Sequence, residues 1–168
     1  PILRDKIHRI LDDIAVREKS HVYRELVATY NRFPKRELFY SSPAALRSLL
    51  EPIAFMVRDE DVVIRTRKGA GYIVLAVAFS RLSYSYDGEE SIARAFAESF
   101  GPVSFRTSAD CGSASLLLFY FDTDRLQNAI DEEEVRRIGT PLLTTWEAGV
   151  SAALAAHFGE REGRRLAG

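Results

Sequence analysis

The 168-residue sequence predicts an α+β fold: a four-stranded antiparallel, ferredoxin-like sheet in ββαββα order, with helices before and after it. Three observations carry this. Apolar residues recur at helical spacing as far as Met56, and after Arg58 the pattern becomes β-branched and alternating. Two pairs of strand-like runs follow, 62–67 with 72–79 and 103–108 with 115–122, each joined by a short glycine-containing turn. A capped helical stretch separates the pairs. This order closes a ferredoxin-like sheet if the first strand takes the edge that a final strand normally fills.

Ile2, Leu3, Ile7, Ile10, Leu11 and Ile14 make the first helix amphipathic. Ser20 is an N-cap for a second, with Val22, Leu26, Val27 and Tyr30 on its apolar stripe. Pro34 lacks an N–H and disfavours helix at Phe33, so the second helix ends there. Lys35 to Phe39 reads as its exit. Ser42-Pro43 supplies an N-cap and a first-turn proline for a third helix carrying Leu46, Leu49, Leu50 and Ile53, which Pro52 kinks or shortens. Lys68 to Gly71 is a hairpin turn, and 72–79 is apolar on both faces, as a covered central strand is. Asp87-Gly88-Glu89-Glu90 opens a helix through Ile92, Phe96 and Phe100, closed by Gly101-Pro102. Asp124 is expected to begin a helix through Leu126 and Ile130. A last helix starts near Thr140-Pro141 and carries Leu143, Trp146, Val150, Leu154 and Phe158. The chain divides into a helical arm (1–58), the sheet domain (59–139) and a C-terminal helical segment (140–168) that packs on it or leads to a further domain.

Composition excludes several classes. A chain of this size buries roughly 70% of its unfolded surface, enough for a proper core. Twenty-three basic residues balance twenty-four acidic ones, so nothing marks a nucleic-acid footprint. No run approaches the roughly 20 apolar residues of a membrane span. The single Cys111 has no internal disulfide partner and fits a reducing, cytoplasmic setting. The chain begins at Pro1 in the middle of a helical pattern, with Met56 its only methionine, and reads as an excised piece of a longer protein.

Catalytic motifs are sparse. Gly69-Ala70-Gly71 lacks the third glycine and the following helix of a dinucleotide fingerprint, and a strand follows instead. His8, His21 and His157 are far apart and do not form a zinc spacing. Asp110 beside Cys111 opposes thiolate formation. The acidic run 131–134 reads as a solvated helix start rather than a cation site. Arg65, Arg67 and Arg106 fall on strands, where they form either an exposed polar face, which the alternation favours, or a grip for a carboxylate. Tyr84, Tyr86 and Asp87 lie in the loop between the central strand and the next helix. They belong to a plain surface loop or, with the free N–H groups of a helix start, to a docking place for an amino-acid carboxylate or a second subunit. Tyr72, Leu75, Phe79 and Trp146 offer the apolar surface for packing against copies or neighbouring domains.

Three stretches carry a resemblance. The first runs from Ser20-His21 into Pro34-Lys35-Arg36-Glu37-Leu38-Phe39. The second is the helix, arginine-rich strand, glycine turn and apolar strand of 42–79. The third is Thr145-Trp146-Glu147 through Phe158-Gly159-Glu160 to Gly163. In this order they resemble the N-terminal half of the large bacterial NAD-specific glutamate dehydrogenases. That family shows a Pro-Arg-Asp run after the apolar strand, where this chain has Phe79-Ser80-Arg81-Leu82.

The resemblance implies an ACT-like regulatory or assembly segment without catalytic residues, cofactor site or metal of its own. The parent enzyme would use NAD to deaminate glutamate oxidatively to 2-oxoglutarate and ammonia. The implied partners are other domains of the same polypeptide, further copies in a homo-oligomer, and an amino-acid effector. The alternative from another class is a free-standing ferredoxin-like protein that binds a small molecule such as an amino acid.

Overall fold

The computed structural model describes residues 2–56 and 62–143. Four helices come first: α1 (Ile2–Asp13), α2 (His21–Arg32), α3 (Lys35–Tyr40) and α4 (Pro43–Ala54). Strands β1 (Val63–Gly69) and β2 (Tyr72–Ser80) lead through a 3-10 turn at Arg81–Ser83 into α5 (Tyr86–Phe100). Strands β3 (Val103–Asp110) and β4 (Ala114–Asp122) precede α6 (Glu132–Gly139) and a 3-10 turn at Thr140–Leu143. The sheet order is β1-β2-β4-β3, and every neighbouring pair is antiparallel. The architecture is thus α+β, consistent with a ferredoxin-like fold, with β1 beside β2 at one edge.

Local signals set most boundaries. Ser20 Oγ accepts the Tyr23 N–H at 3.1 Å and Ser42 Oγ accepts the Ala45 N–H at 3.2 Å, each filling an orphan donor of a first turn. Phe33 turns extended (ψ 146°) ahead of Pro34 and ends α2. Pro52 lies in the last turn of α4, which stops at Ala54. Gly71 (φ +77°) completes the β1–β2 turn in a left-handed conformation.

Two expectations are corrected. Lys35 to Phe39 is helical rather than a plain exit, because α3 restarts directly after Pro34. Six residues cannot hold a helix alone. Here Lys6 Nζ on α1 donates to the carbonyls of Leu38, Phe39 and Ser41 at 2.8, 2.7 and 2.9 Å, supplying the missing C-terminal partners. The helix expected from Asp124 begins instead at Glu132. Thr123–Arg125 is only a 3-10 turn, and the Gln127 N–H donates to the Phe100 carbonyl at 3.0 Å, which ties this stretch to the end of α5. Asp131 caps α6, its Oδ2 accepting the N–H groups of Glu133 and Glu134 at 3.1 and 3.0 Å.

The sheet is covered on both faces. On one, α1 to α4 pack Ile10, Leu26, Phe33, Leu38, Leu46 and Leu50 against Val74, Ala76, Ala78, Leu116, Leu118 and Tyr120. On the other, α5 and α6 pack Ile92, Phe96, Phe100 and Val135 against Leu75, Val77, Phe79, Leu117, Phe119 and Phe121. Phe96 meets Phe119 edge-on at 5.2 Å. Burial on both faces explains why β2 and β4 are apolar throughout. The boundary expected near 58 falls outside the described residues, and the helices before it share one buried cluster with the sheet after it.

Helix α1 ends in a Schellman motif. The Val16 N–H donates to Leu11 O and the Ala15 N–H to Asp12 O, with Ala15 at φ +54° where glycine is usual. An L side chain pays about 1–2 kcal/mol there, partly offset by glycine's larger unfolded-state entropy. Ala15→Gly is therefore expected to stabilise the chain by about 0.5–1 kcal/mol. Urea denaturation checks this through a higher midpoint at unchanged slope.

Candidate functional site

The most concentrated polar chemistry lies between α3 and the sheet. Glu37, 2% exposed, presents its carboxylate to β1 and β4. Arg67 Nη2 donates to Oε2 at 2.8 Å and to Oε1 at 3.0 Å, and its Nε donates to Oε2 at 3.2 Å. The Tyr120 hydroxyl donates to Oε1 at 2.8 Å and Ser41 Oγ to Oε2 at 2.9 Å. Arg67 also lies over the Tyr72 ring at 5.6 Å, and Arg36 lies over Tyr120 and Phe105 at 5.0 and 5.7 Å. Arg67 therefore grips a carboxylate, that of its own chain. With four donor groups on one buried carboxylate, this is a structural clamp rather than a reacting group. Among the described residues no buried side-chain polar atom lacks a partner.

A second feature is open to solvent. A cleft of about 430 Å³ lies at one end of the sheet, lined by Arg81, Tyr84, Ser108, Ala109, Asp110 and Ser115. Arg81 comes from the turn after β2, and its N–H donates to the Ser113 carbonyl at 2.9 Å. Its Nη1 pairs with Asp110 Oδ2 at 3.0 Å. The Tyr84 hydroxyl donates to Glu89 Oε2 at 2.9 Å, and that bond, with some burial, holds the phenol above its ordinary range. Arg106 pairs with Glu89 at 3.6 Å and hydrogen-bonds Glu90, holding the Glu90 carboxyl below its ordinary range. The cleft forms because Arg106, Ser108 and Asp110 share the β3 face that α5 leaves uncovered at its N-terminal end. Cys111 is nearby but inert: burial, helped by Asp110, pushes its thiol up to about 11.

Of the residues singled out in the sequence, Tyr84 lines this cleft. Tyr86 and Asp87 stand exposed in the first turn of α5, where Ser85 Oγ accepts the Gly88 N–H at 3.0 Å. Arg65 is half-exposed beside Glu132 at 3.7 Å, away from the cleft. Leu75 and Phe79 are buried under α5 and α6 and spent on the chain's own core, while Tyr72 is half-buried beside Arg67. Trp146 lies outside the described residues, as does the third stretch of the resemblance. Sequence reading gave Arg81, Ser108 and Ser115 no role, and assigned none to Glu37 although it stands in the Glu-Leu-Phe string.

The fold and these sites define a class: an α+β domain built on a ferredoxin-like sheet, with an internal ionic clamp and a small polar cleft. Among the described residues no group of three or more His, Cys, Asp or Glu could hold a metal ion, and no helix is long and apolar enough to cross a membrane. Residues 1–57, about a third of the chain, match the family model described as glutamate dehydrogenase, helical motif 1. The α1–α4 segment is therefore related to glutamate dehydrogenase. No curated protein and no solved structure matches the chain.

Two outcomes test the clamp. Glu37→Ala leaves Arg67 unpaired in a largely buried place and is expected to cost about 3–5 kcal/mol in denaturant unfolding. The Glu37→Met/Arg67→Met pair is expected to cost less than the sum of its single changes, by at least about 1 kcal/mol.

Burial, then the hydrogen bond to Glu37, raises the Tyr120 phenol above its ordinary 10.0. The neutral form is thus favoured in the folded state. Its contribution is complete below pH 10 and declines as pH rises above it. Stability measured from pH 9 to 12 is expected to fall, and to fall less steeply in Tyr120→Phe.

Proposed function

We propose that this chain is a non-catalytic regulatory and assembly segment of an NAD-dependent glutamate dehydrogenase. The observation that carries the reading is the family match over residues 1–57, because the helices it covers share a buried core with the sheet. A sheet so joined to a glutamate dehydrogenase motif is best read as part of the same enzyme. In this reading the parent enzyme converts glutamate to 2-oxoglutarate and ammonia, and this segment packs with other domains and further copies.

NAD does not fit the one glycine motif of this chain. Gly69-Ala70-Gly71 closes a hairpin between β1 and β2, so no helix N-terminus faces a pyrophosphate there. Cofactor chemistry in this reading belongs to the rest of the enzyme.

The regulatory half of the reading assigns an amino-acid effector to the cleft. Arg81 offers a guanidinium to an α-carboxylate, Asp110 a carboxylate to an α-ammonium group, and Ser108 and Ser115 further hydroxyls. Both charged groups are more than half exposed, so an entering ligand can reach them.

The test has two arms. Incubated with glutamate and NAD, the chain is expected to produce no NADH, and measurable turnover would overturn the non-catalytic assignment. Titrated calorimetrically with the common amino acids, it is expected to bind at least one, at least about tenfold more weakly after Arg81→Ala. Absence of heat with every amino acid would remove the effector and leave assembly alone.

A further inference from the structure

The two edges of the sheet are treated differently. Along β1 the edge is sealed by α6. The Thr66 N–H donates to Glu132 Oε1 at 3.1 Å, Arg136 Nη1 donates to the Val62 carbonyl at 3.0 Å, and Arg65 pairs with Glu132. These side chains occupy backbone groups that another strand would otherwise use. At the other edge β3 pairs with β4 on one side, and no other described strand lies beyond it.

Natural edge strands are protected by shortness, proline, lysine or bulges. Strand β3 runs eight residues, and neither lysine nor proline occurs between Val103 and Asp110. Its register shift falls at Val103/Phe105, leaving Phe105 to Asp110 in regular pairing. An open strand of this length next to a deliberately sealed one points to a partner.

The side chains of β3 say which partner. Arg106, Ser108 and Asp110 face α5, opposite Phe119, Leu117 and Ser115. That row reads positive, neutral, negative. A two-fold interface demands a surface complementary to itself. Turned on itself about Ser108, this row sets Arg106 of one copy opposite the partner's Asp110, twice. Within each chain Arg106 is already paired with Glu89 and Glu90, and Asp110 with Arg81, so two copies approach without net repulsion. On the other face the same register brings Phe105, 49% exposed, against the partner's β3–β4 turn.

We propose that two copies of this chain pair antiparallel along β3, about a two-fold axis at Ser108, to form a continuous eight-stranded sheet. This deepens the assembly half of the proposed function. It fails separately from the rest, because neither amino-acid binding nor NAD turnover is read in its test.

Sedimentation equilibrium of the 168-residue chain is expected to show a dimer. Arg106→Asp leaves two acids in the row and Asp110→Arg leaves two bases, so each variant alone is expected to associate at least about tenfold more weakly. Mixed one to one, the variants restore both opposite-charge pairs and are expected to dimerise again. A wild-type monomer overturns the proposal, as does a dimer that both single changes leave intact. Should a variant fail to fold, amide exchange of the wild type decides. β3 amides that become protected as concentration rises support the pairing. Protection independent of concentration assigns the edge to another segment of the same chain and overturns it.

Discussion

The bidentate ion pair between Glu37 and Arg67 is the constraint on which the arrangement of helices and sheet depends. Its two residues belong to the two parts of the chain, α3 and β1, and its other donors come from β4 and from Ser41 at the end of α3. Apolar contact alone would let four helices slide over a Val/Ala/Leu surface at little cost. A buried carboxylate cannot slide, because every displaced donor leaves an unmet charge. A slip of β1 by one residue would turn Arg67 to the α5 face and strand Glu37. Such pairs add little net stability, since desolvation consumes most of the attraction. What this one contributes is register.

With the helices fixed, the sheet has no free face. Leu75, Val77 and Phe79 go to α5 and α6, and Val74, Ala76 and Ala78 to α1 through α4. Surface for ligands or partners must then come from the ends and edges. The end where β2 leaves the sheet carries the Arg81 turn, the β3–β4 hairpin and the start of α5, and there the polar cleft opens. The β1 edge is closed by Glu132 and Arg136. One end and one edge therefore hold the accessible chemistry of the sheet.

Much of the fold was legible in the sequence because it was written in local signals. Ser20, Ser42, Pro34 and Gly71 each act within three or four residues, and each acts as its chemistry requires. The doubly apolar run 72–79 announced a covered strand without saying what covers it. Helix α3 was not legible, because its C-terminal carbonyls are satisfied by Lys6, more than thirty residues away. The helix expected at Asp124 was misplaced because Asp124 and Asp131 are equivalent caps locally. Contact between Gln127 and Phe100 decides between them. Arg67 was seen on its strand, but its partner Glu37 lies thirty residues earlier, and no spacing rule joins a helix to a strand edge. The cleft was half legible. Tyr84 sits in the expected loop, whereas Asp110 comes from the far hairpin and is brought there by the order β2-β4-β3.

The two arginine–carboxylate pairs differ in the property that matters for exchange with a ligand. Arg67–Glu37 is 19% and 3% exposed and engages further donors, so breaking it strands a charge. Arg81–Asp110 is 61% and 53% exposed, and such a pair contributes only about 0–1 kcal/mol in water. A zwitterion entering the cleft would give up that small amount and gain two charge-assisted contacts in return. Because the Arg81 turn is also held to the hairpin through the Ser113 carbonyl, a ligand that separates Arg81 from Asp110 need not unfold either segment. It would shift any equilibrium of the parent enzyme only through a difference in affinity between two arrangements of this end of the sheet. The buried pair can serve as the fixed frame for such a shift, and the exposed pair as the part that moves.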